Sequence, residues 1–417
     1  MFRPVSCLAL VLLSPLAALA GDWLAWRGPL GTGISDEKNV PLKWSKEENV
    51  KWRVALDGPG NSTPIVVGDK VFLAHPPASN KKSRSLICFD RQTGKELWKH
   101  EAEYAEEEKT HGTNPYCSSS PVSDGKHVYV FLGPAGLFAL DLDGNLLWKR
   151  DDLEKVDHFW GIGSSPMLYG DLLILNLGPG TKACVVALNK SDGKDVWRRD
   201  FPGMQSKTTE EYRASWSTPV LHDEGNGRTT LLLSLPETLW AIDPKTGEDV
   251  WSCQGLKALV YTSPLCAKDV AVAMGGFGGP ALAARAGNGD VTEKNRLWHH
   301  PSNPQRIGSG VIVGDHIYMV NENGAMWCLE LETGKRLWEE RLEQSGGQTW
   351  GSLSYADGRL YILTLSGMTY VIEANPSQCK ILAENDVGER TRSSLAFSDG
   401  QVFVRTHQAL WCIEEKK

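Results

Sequence analysis

Leu86-Ile-Cys-Phe-Asp-Arg-Gln-Thr-Gly-Lys-Glu-Leu-Trp98 is the stretch on which the reading of the fold turns. An apolar run ends at an acid, a Thr-Gly turn follows, and a second short run ends in Trp. The form recurs as Phe138-Ala-Leu-Asp-Leu-Asp-Gly-Asn-Leu-Leu-Trp148 and Val186-Ala-Leu-Asn-Lys-Ser-Asp-Gly-Lys-Asp-Val-Trp197. It returns as Trp240-Ala-Ile-Asp-Pro-Lys-Thr-Gly-Glu-Asp-Val-Trp251 and Trp327-Cys-Leu-Glu-Leu-Glu-Thr-Gly-Lys-Arg-Leu-Trp338. Each copy reads as strand, turn, strand. The Asp or Asn side chain caps the turn, and Gly takes a backbone position with φ > 0. A repeat of this kind outranks the domain count that chain length suggests.

Working outward, a second signal precedes each unit: Ser62-Thr-Pro, Ser119-Ser-Pro, Ser164-Ser-Pro, Ser217-Thr-Pro and Thr262-Ser-Pro, with weaker versions at Ser309-Gly-Val, Ser352-Leu and Ser393-Ser-Leu. Each opens an apolar run, then a tight turn, then another run, as in Pro64-Ile-Val-Val-Gly-Asp-Lys-Val-Phe-Leu73. Pro suits the first residue of a strand, where no ladder donor is lost. One unit is therefore four strands. The tryptophans recur at a spacing of roughly 50 residues, the length of a propeller blade. The starts number eight. The last unit stops at Trp411-Cys-Ile-Glu414, after its third strand, and a spare strand lies at Asn49-Val-Lys-Trp52-Arg-Val-Ala-Leu56.

The expectation is an all-β, eight-bladed propeller of four-stranded blades, closed by the N-terminal strand so that no edge stays open. Trp52, Trp98, Trp148, Trp197, Trp251, Trp298 and Trp338 are expected to be mostly buried between blades. Two units are degenerate: the fifth lacks the Asp-Thr-Gly turn, and the seventh lacks the closing Trp. Residues 1–20 read as a leader, 21–48 as an irregular strap holding Trp23, Trp26-Arg-Gly-Pro29 and Trp44, and 49–417 as the propeller.

The chain has 417 residues, is 41% apolar and carries a net charge of −7, which leaves no basic footprint for nucleic acid or anionic lipid. Arg3, the apolar run from Cys7 to Leu19 and Ala18-Leu-Ala20 read as a signal peptide cleaved before Gly21. The expected location is periplasmic or extracellular. Gly21 at the cleavage point argues against a lipoprotein, and no later stretch is long and apolar enough to span a membrane. Eight of the nine cysteines follow the leader. Cys88, Cys328 and Cys412 stand where other units have Ala139, Ala187 and Ala241, so they read as small buried residues. Cys253 and Cys266, flanking one blade-to-blade connection, are the pair expected if a disulfide forms. No C-x-x-C is present.

Loops entering the innermost strands bring His111, Asn114, His158, Trp160, Arg213, Trp216, Tyr261, Arg306, Trp350, Arg390 and Arg392 to one face of the ring. Arginines among aromatics suit a planar or anionic ligand, through bidentate contacts and stacking. His111 and His158 lie in successive loops with no spaced carboxylate partner, so no metal site is expected. Gly275-Gly-Phe-Gly-Gly-Pro280 is followed by another strand, not a helix, and reads as a wide hairpin.

These residues together resemble the pyrroloquinoline-quinone-repeat propeller family, whose docking motif has the form Ala-x-Asp-x-x-Thr-Gly-x-x-x-Trp. Trp23-x-x-Trp26-Arg-Gly-Pro and Asn114-Pro-Tyr-Cys-Ser-Ser-Ser-Pro resemble its exported, non-enzymatic branch. The resemblance covers about residues 22–417. It implies that each repeat Trp packs between blades. The family includes quinone-dependent alcohol dehydrogenases and the propeller lipoprotein of outer-membrane assembly. This chain departs from the dehydrogenases: no two Cys are adjacent, C-x-x-C-H is absent, and no calcium set maps onto its positions. The expected function is thus a non-catalytic, exported binding or scaffold propeller with no catalytic residues and no cofactor. It would be a monomer recruiting a protein or envelope component. Two alternatives stand: a quinone- and calcium-dependent oxidoreductase acting on alcohols or sugars, and a polysaccharide-binding module with Trp160, Trp216 and Trp350 as stacking platforms.

Overall fold

The computed structural model describes residues 21–77, 79–105, 111–112, 114, 117–156, 158, 160–180, 182–201, 213–276, 278–303, 307–342 and 348–416. The leader and its cleavage point upstream of Gly21 lie outside the described residues.

The second and third strands of each unit are largely buried on both faces by neighbouring blades, so they read as continuous apolar runs; the innermost strands range from wholly buried to half-covered, as at Met167–Tyr169. The outermost strand alternates. In blade 1 the innermost strand Ile65–Val67 and the following Lys70–His75 and Ser83–Asp90 are almost wholly buried, whereas Glu96–Glu103 alternates between exposed and covered positions. Eight such antiparallel sheets form an eight-bladed propeller. The later innermost strands are Val122–Ser123, Met167–Tyr169, Val220–Asp223, Leu265–Ala267, Val311–Val313, Ser354–Ala356 and Ala396–Ser398. The hydrophobic core is a series of clusters, each shared between adjacent blades.

The ring closes as the sequence indicated. Val50–Ala55 pairs antiparallel with Ala409–Glu414 as the fourth strand of blade 8, with Arg53 opposite Trp411. A chain end is thereby hidden in a ladder and no half-built blade remains.

The Thr-Gly turns have a second role. Trp52, Trp98, Trp148, Trp197 and Trp298 each lay their ring against the turn glycine of the next blade: Gly94, Gly144, Gly193, Gly247 and Gly334. A Cβ on those glycines would lie 2.6–2.8 Å from the indole, and all five have positive φ. Each indole N–H donates to a carbonyl of that same turn, for example Trp52 to Arg91 at 2.8 Å and Trp148 to Lys190 at 2.9 Å. Trp338 does likewise with Asn375. Trp98, Trp148, Trp197 and Trp338 are only half-buried, less than expected. They sit on outermost strands where the blades diverge, so one ring face is covered and the outer edge meets solvent.

Both degenerate units are compensated locally. Trp251, 1% exposed, finds no turn in blade 5 and donates to the Glu224 carboxylate of its own blade at 2.9 Å. Gly289–Asp290 from blade 5 pairs alongside Trp251 as a fifth, parallel strand of blade 4. In blade 7, Ala383 stands where a Trp would dock. Trp44 packs into the same cluster, stacked on Tyr361 and held by its backbone N–H to Asn385 Oδ1.

The Ser/Thr-Pro signal proves to be a closed circuit round the channel. The N–H of Thr63 donates to Ser120 Oγ, Ser120 to Ser165, Ser165 to Thr218, Thr218 to Ser263, Ser263 to Ser309, Ser309 to Ser352, Ser352 to Ser394, and Ser394 back to Thr63, all at 2.9–3.1 Å. Eight blades are thus stitched by eight inter-blade bonds.

The expected Cys253–Cys266 pair is not formed; all eight described cysteines are free. Cys253 lies on the fourth strand of blade 4, beside Gly289–Asp290, and Cys266 on the innermost strand of blade 5. A disulfide needs Cα atoms within about 7 Å.

Candidate functional site

Residues 21–49 hold no extended strand and cross the hairpin ends of the innermost strands. Trp23 pairs with Val66 of blade 1, and Leu24 accepts from Ser123 of blade 2. The Arg27 guanidinium reaches Gly310 at the start of blade 6, Ser35 bonds Tyr355 of blade 7, and Glu37 accepts from Gly400 of blade 8. The segment therefore closes one mouth of the channel. Above it lies a cavity of about 380 Å3 that opens on the other face. Trp26 is its floor, and Thr63, Ser352 and Ser394 of the hydroxyl circuit belong to its wall. Trp26 also borders a second cavity of about 270 Å3 on the strap side, between the strap and blades 2 to 4, so it is the partition between the two.

Seven of the expected face residues line the funnel: His111, Asn114, Trp160, Trp216, Tyr261, Trp350 and Arg392. Trp216 and Tyr261 stack with centroids 4.8 Å apart, and Trp160 lies 5.7 Å from Trp216, forming one aromatic wall. His158 stands behind that wall, edge-on to Trp216 at 5.1 Å, with Nδ1 accepting the Trp160 backbone N–H. It positions the wall and does not line the cavity. Asn114 ties three loops together: its amide donates to the carbonyls of Trp160 and Ile162, and its oxygen accepts from Asn61 and Ser118. Opposite the aromatic wall, the Arg392 guanidinium lies over Trp350 at 4.8 Å.

Two expected residues sit elsewhere. Arg213 is ion-paired with Glu237, and Arg390 is exposed while its carbonyl accepts the His407 N–H. Neither borders the cavity. Arg306 lies outside the described residues. Trp26, Asn61 and Ile307 line the funnel unheralded. Trp26 was placed on the strap by the sequence, but nothing in its local pattern says that the strap enters the channel.

The electrostatics are lopsided. No Asp or Glu is among the described lining residues. Nη1 of Arg392 donates to the Gly112 carbonyl at 3.4 Å while its buried Nε has no partner, and burial and Arg390 push its pKa down. Between blades 8 and 1, Arg405 is fully buried and donates to carbonyl and hydroxyl oxygens of Thr406 and Ser62, its pKa pushed down by burial to about 10. His407 is held at about 4 by burial and by Arg405, Arg392 and Arg390. Beneath Trp26, Arg27 is 1% exposed; its Nη2 donates to Thr32 and Gly310 carbonyls, while Nε and Nη1 are unpartnered. Burial lowers its pKa to about 9, so it stays charged at neutral pH. Among the described residues, no group of three or more His, Cys, Asp or Glu is placed to hold a metal ion. No described helix is long and apolar enough to cross a membrane.

The chain matches the profile of a family described as outer membrane protein assembly factor BamB over residues 34–107, 49–234, 210–351 and 332–416. A protein of that name from Burkholderia pseudomallei is 23% identical over 414 residues, spanning 88% of this chain and 96% of the relative. BamB of Alkalilimnicola ehrlichii is 26% identical over 231 residues, 51% of either chain. The quinohemoprotein alcohol dehydrogenase ADH IIB of Pseudomonas putida is 27% identical over 218 residues, 46% of this chain and 30% of the relative. The match thus spans about half the Alkalilimnicola protein and less of the dehydrogenase. Among solved structures, BamB from Moraxella catarrhalis superposes with a TM-score of 0.62 at 13% identity, covering 88% of this chain and 97% of that one. A europium-containing methanol dehydrogenase superposes at 0.68 with 13% identity, covering 93% and 90%. Both share the propeller fold. With the repeats and the profile running from blade 1 to the closing strand, the chain belongs to the outer membrane protein assembly factor BamB family.

Proposed function

We propose that this protein is a non-catalytic binding propeller of the cell envelope, exported by its leader and recruiting a protein partner at the funnel mouth. The observation that carries this reading is the end-to-end match to the BamB family, including a relative covered over 96% of its length. The matches to quinone dehydrogenases support the competing reading, an oxidoreductase. Against it stand the absence of adjacent cysteines in the sequence and a described funnel lining without a carboxylate, the ligand type that calcium favours. The residues described there do not fit a calcium–quinone pair, and no catalytic step is assigned.

The test is site-specific photo-crosslinking in the native host. Gly112 is exposed at the mouth, and a Cβ there meets nothing within 4 Å, so it accepts a photoreactive side chain. Leu97, 46% exposed on the outermost strand of blade 1, is the control. A discrete protein adduct from position 112 and none from position 97 is expected. No adduct at the mouth, or dye reduction with alcohols after adding the quinone and calcium, overturns the reading.

A further inference from the structure

We propose that the funnel is a carboxylate receptor, taking an Asp or Glu side chain of the protein partner at Arg392; this rests on the partner-binding reading above.

The starting point is a contrast within the molecule. Arg53, Arg91, Arg150, Arg199 and Arg228 all pair with carboxylates. Among the described residues, three guanidiniums round the funnel do not. Arg392 donates to a carbonyl, Arg405 to carbonyl and hydroxyl oxygens and to His75 Nδ1, and Arg27 to two carbonyls. A protein of net charge −7 has therefore gathered three cations about one cavity and kept acids out of its described lining. Burying charge without a counter-charge is costly, and a cleft of one sign with low-dielectric walls concentrates the opposite charge. The missing partner is an anion that arrives from outside.

Arg392 is the one of the three that touches the cavity. Its guanidinium lies 4.8 Å from the Trp350 ring centroid and makes one hydrogen bond to the described residues, from Nη1 to Gly112, so donors remain for a carboxylate. His407 Nε2, buried and with no partner among the described residues, lies within the field of Arg405, Arg392 and Arg390. Across the cavity, the Trp160–Trp216–Tyr261 wall offers apolar surface for a neighbouring side chain. The volume of about 380 Å3 admits one or two side chains of a protruding loop and no folded element. The recognition unit is thus an acidic residue next to an aromatic or aliphatic one.

The full mature chain is titrated with a blocked pentapeptide carrying two glutamates round a phenylalanine, with its glutamine counterpart, and with succinate as a free carboxylate. Tryptophan fluorescence reports binding, and the His407 ring proton reports the local field by NMR. The acidic peptide should bind with salt-sensitive affinity and raise the His407 pKa. R392Q should weaken it about tenfold or more, with R392K retaining part of the affinity. Melting curves verify folding, and if R392Q does not fold, R392K and the glutamine peptide carry the test. Equal binding of the glutamine peptide, unchanged affinity in R392Q, or succinate binding as tightly as the peptide overturns the proposal. A crosslink at position 112 that persists undiminished in R392Q sinks only the carboxylate seat. Absence of any crosslink in the unaltered protein sinks the partner reading itself.

Discussion

Replacing Ser165 by Ala tests whether the hydroxyl circuit holds the blades together. Ser165 Oγ accepts the Ser120 N–H across the joint of blades 2 and 3 at 2.9 Å, and both residues are buried. Removing the acceptor leaves a backbone donor inside the ring with no partner. That desolvation penalty is about 1–3 kcal/mol. The neighbouring Ser164 provides an internal control: it is equally buried, but its hydroxyl makes no hydrogen bond. Ser164→Ala removes the same atom one residue away and should cost close to nothing. Urea unfolding followed by tryptophan fluorescence compares the two, with unchanged m-values securing the comparison. S165A should shift the midpoint down and S164A should not. Equal losses in both, or no loss in S165A, would refute the reasoning, because the pattern would then reflect only strand-initiating sequence.

Trp98→Ala should cost about 3 kcal/mol, the low end for a large aromatic because the ring is half-buried, and Gly144→Ala should destabilise the same joint by forcing a Cβ to 2.7 Å from that ring; chemical denaturation reads both. A chain beginning at about Pro59 lacks Val50–Ala55, exposes the edge of Ala409–Glu414, and should aggregate or lose its cooperative melt. The pH dependence follows from His407 and from His75, which is held at about 4 by burial and Arg405 despite its 2.6 Å contact with Asp57. Both folded values lie below the unfolded value, so the unfolded chain binds more protons between them. Stability is complete above about pH 6.5 and falls as pH drops towards 4. The melting temperature of H407Q should fall less steeply across that window than that of the unaltered protein, and parallel slopes would exclude His407 as a contributor.

The blades were legible in the chain because their causes are local. The acid, Thr-Gly and Trp of 86–98 specify strand, turn and strand within a dozen residues, and the repeat multiplies that signal. Ring closure followed by counting: one strand short at Trp411, one to spare at Trp52. The eleven face residues follow from the same logic, since a loop must enter each innermost strand. Which of them share a cavity depends on how far each loop leans over the channel, and no periodicity encodes that. His158 went behind the wall, Arg213 found Glu237, and Trp26 came up from below. The hydroxyl circuit was visible as Ser/Thr-Pro spelling, but its bonds join residues more than forty positions apart, from Ser120 to Ser165 and from Ser394 to Thr63. Cys253 and Cys266 look close along the chain but lie on the fourth strand of one sheet and the first strand of the next. Local backbone chemistry determined the blade; only packing eight blades round an axis decided which side chains meet at the centre, and left a half-buried Arg392 in a described lining without a carboxylate.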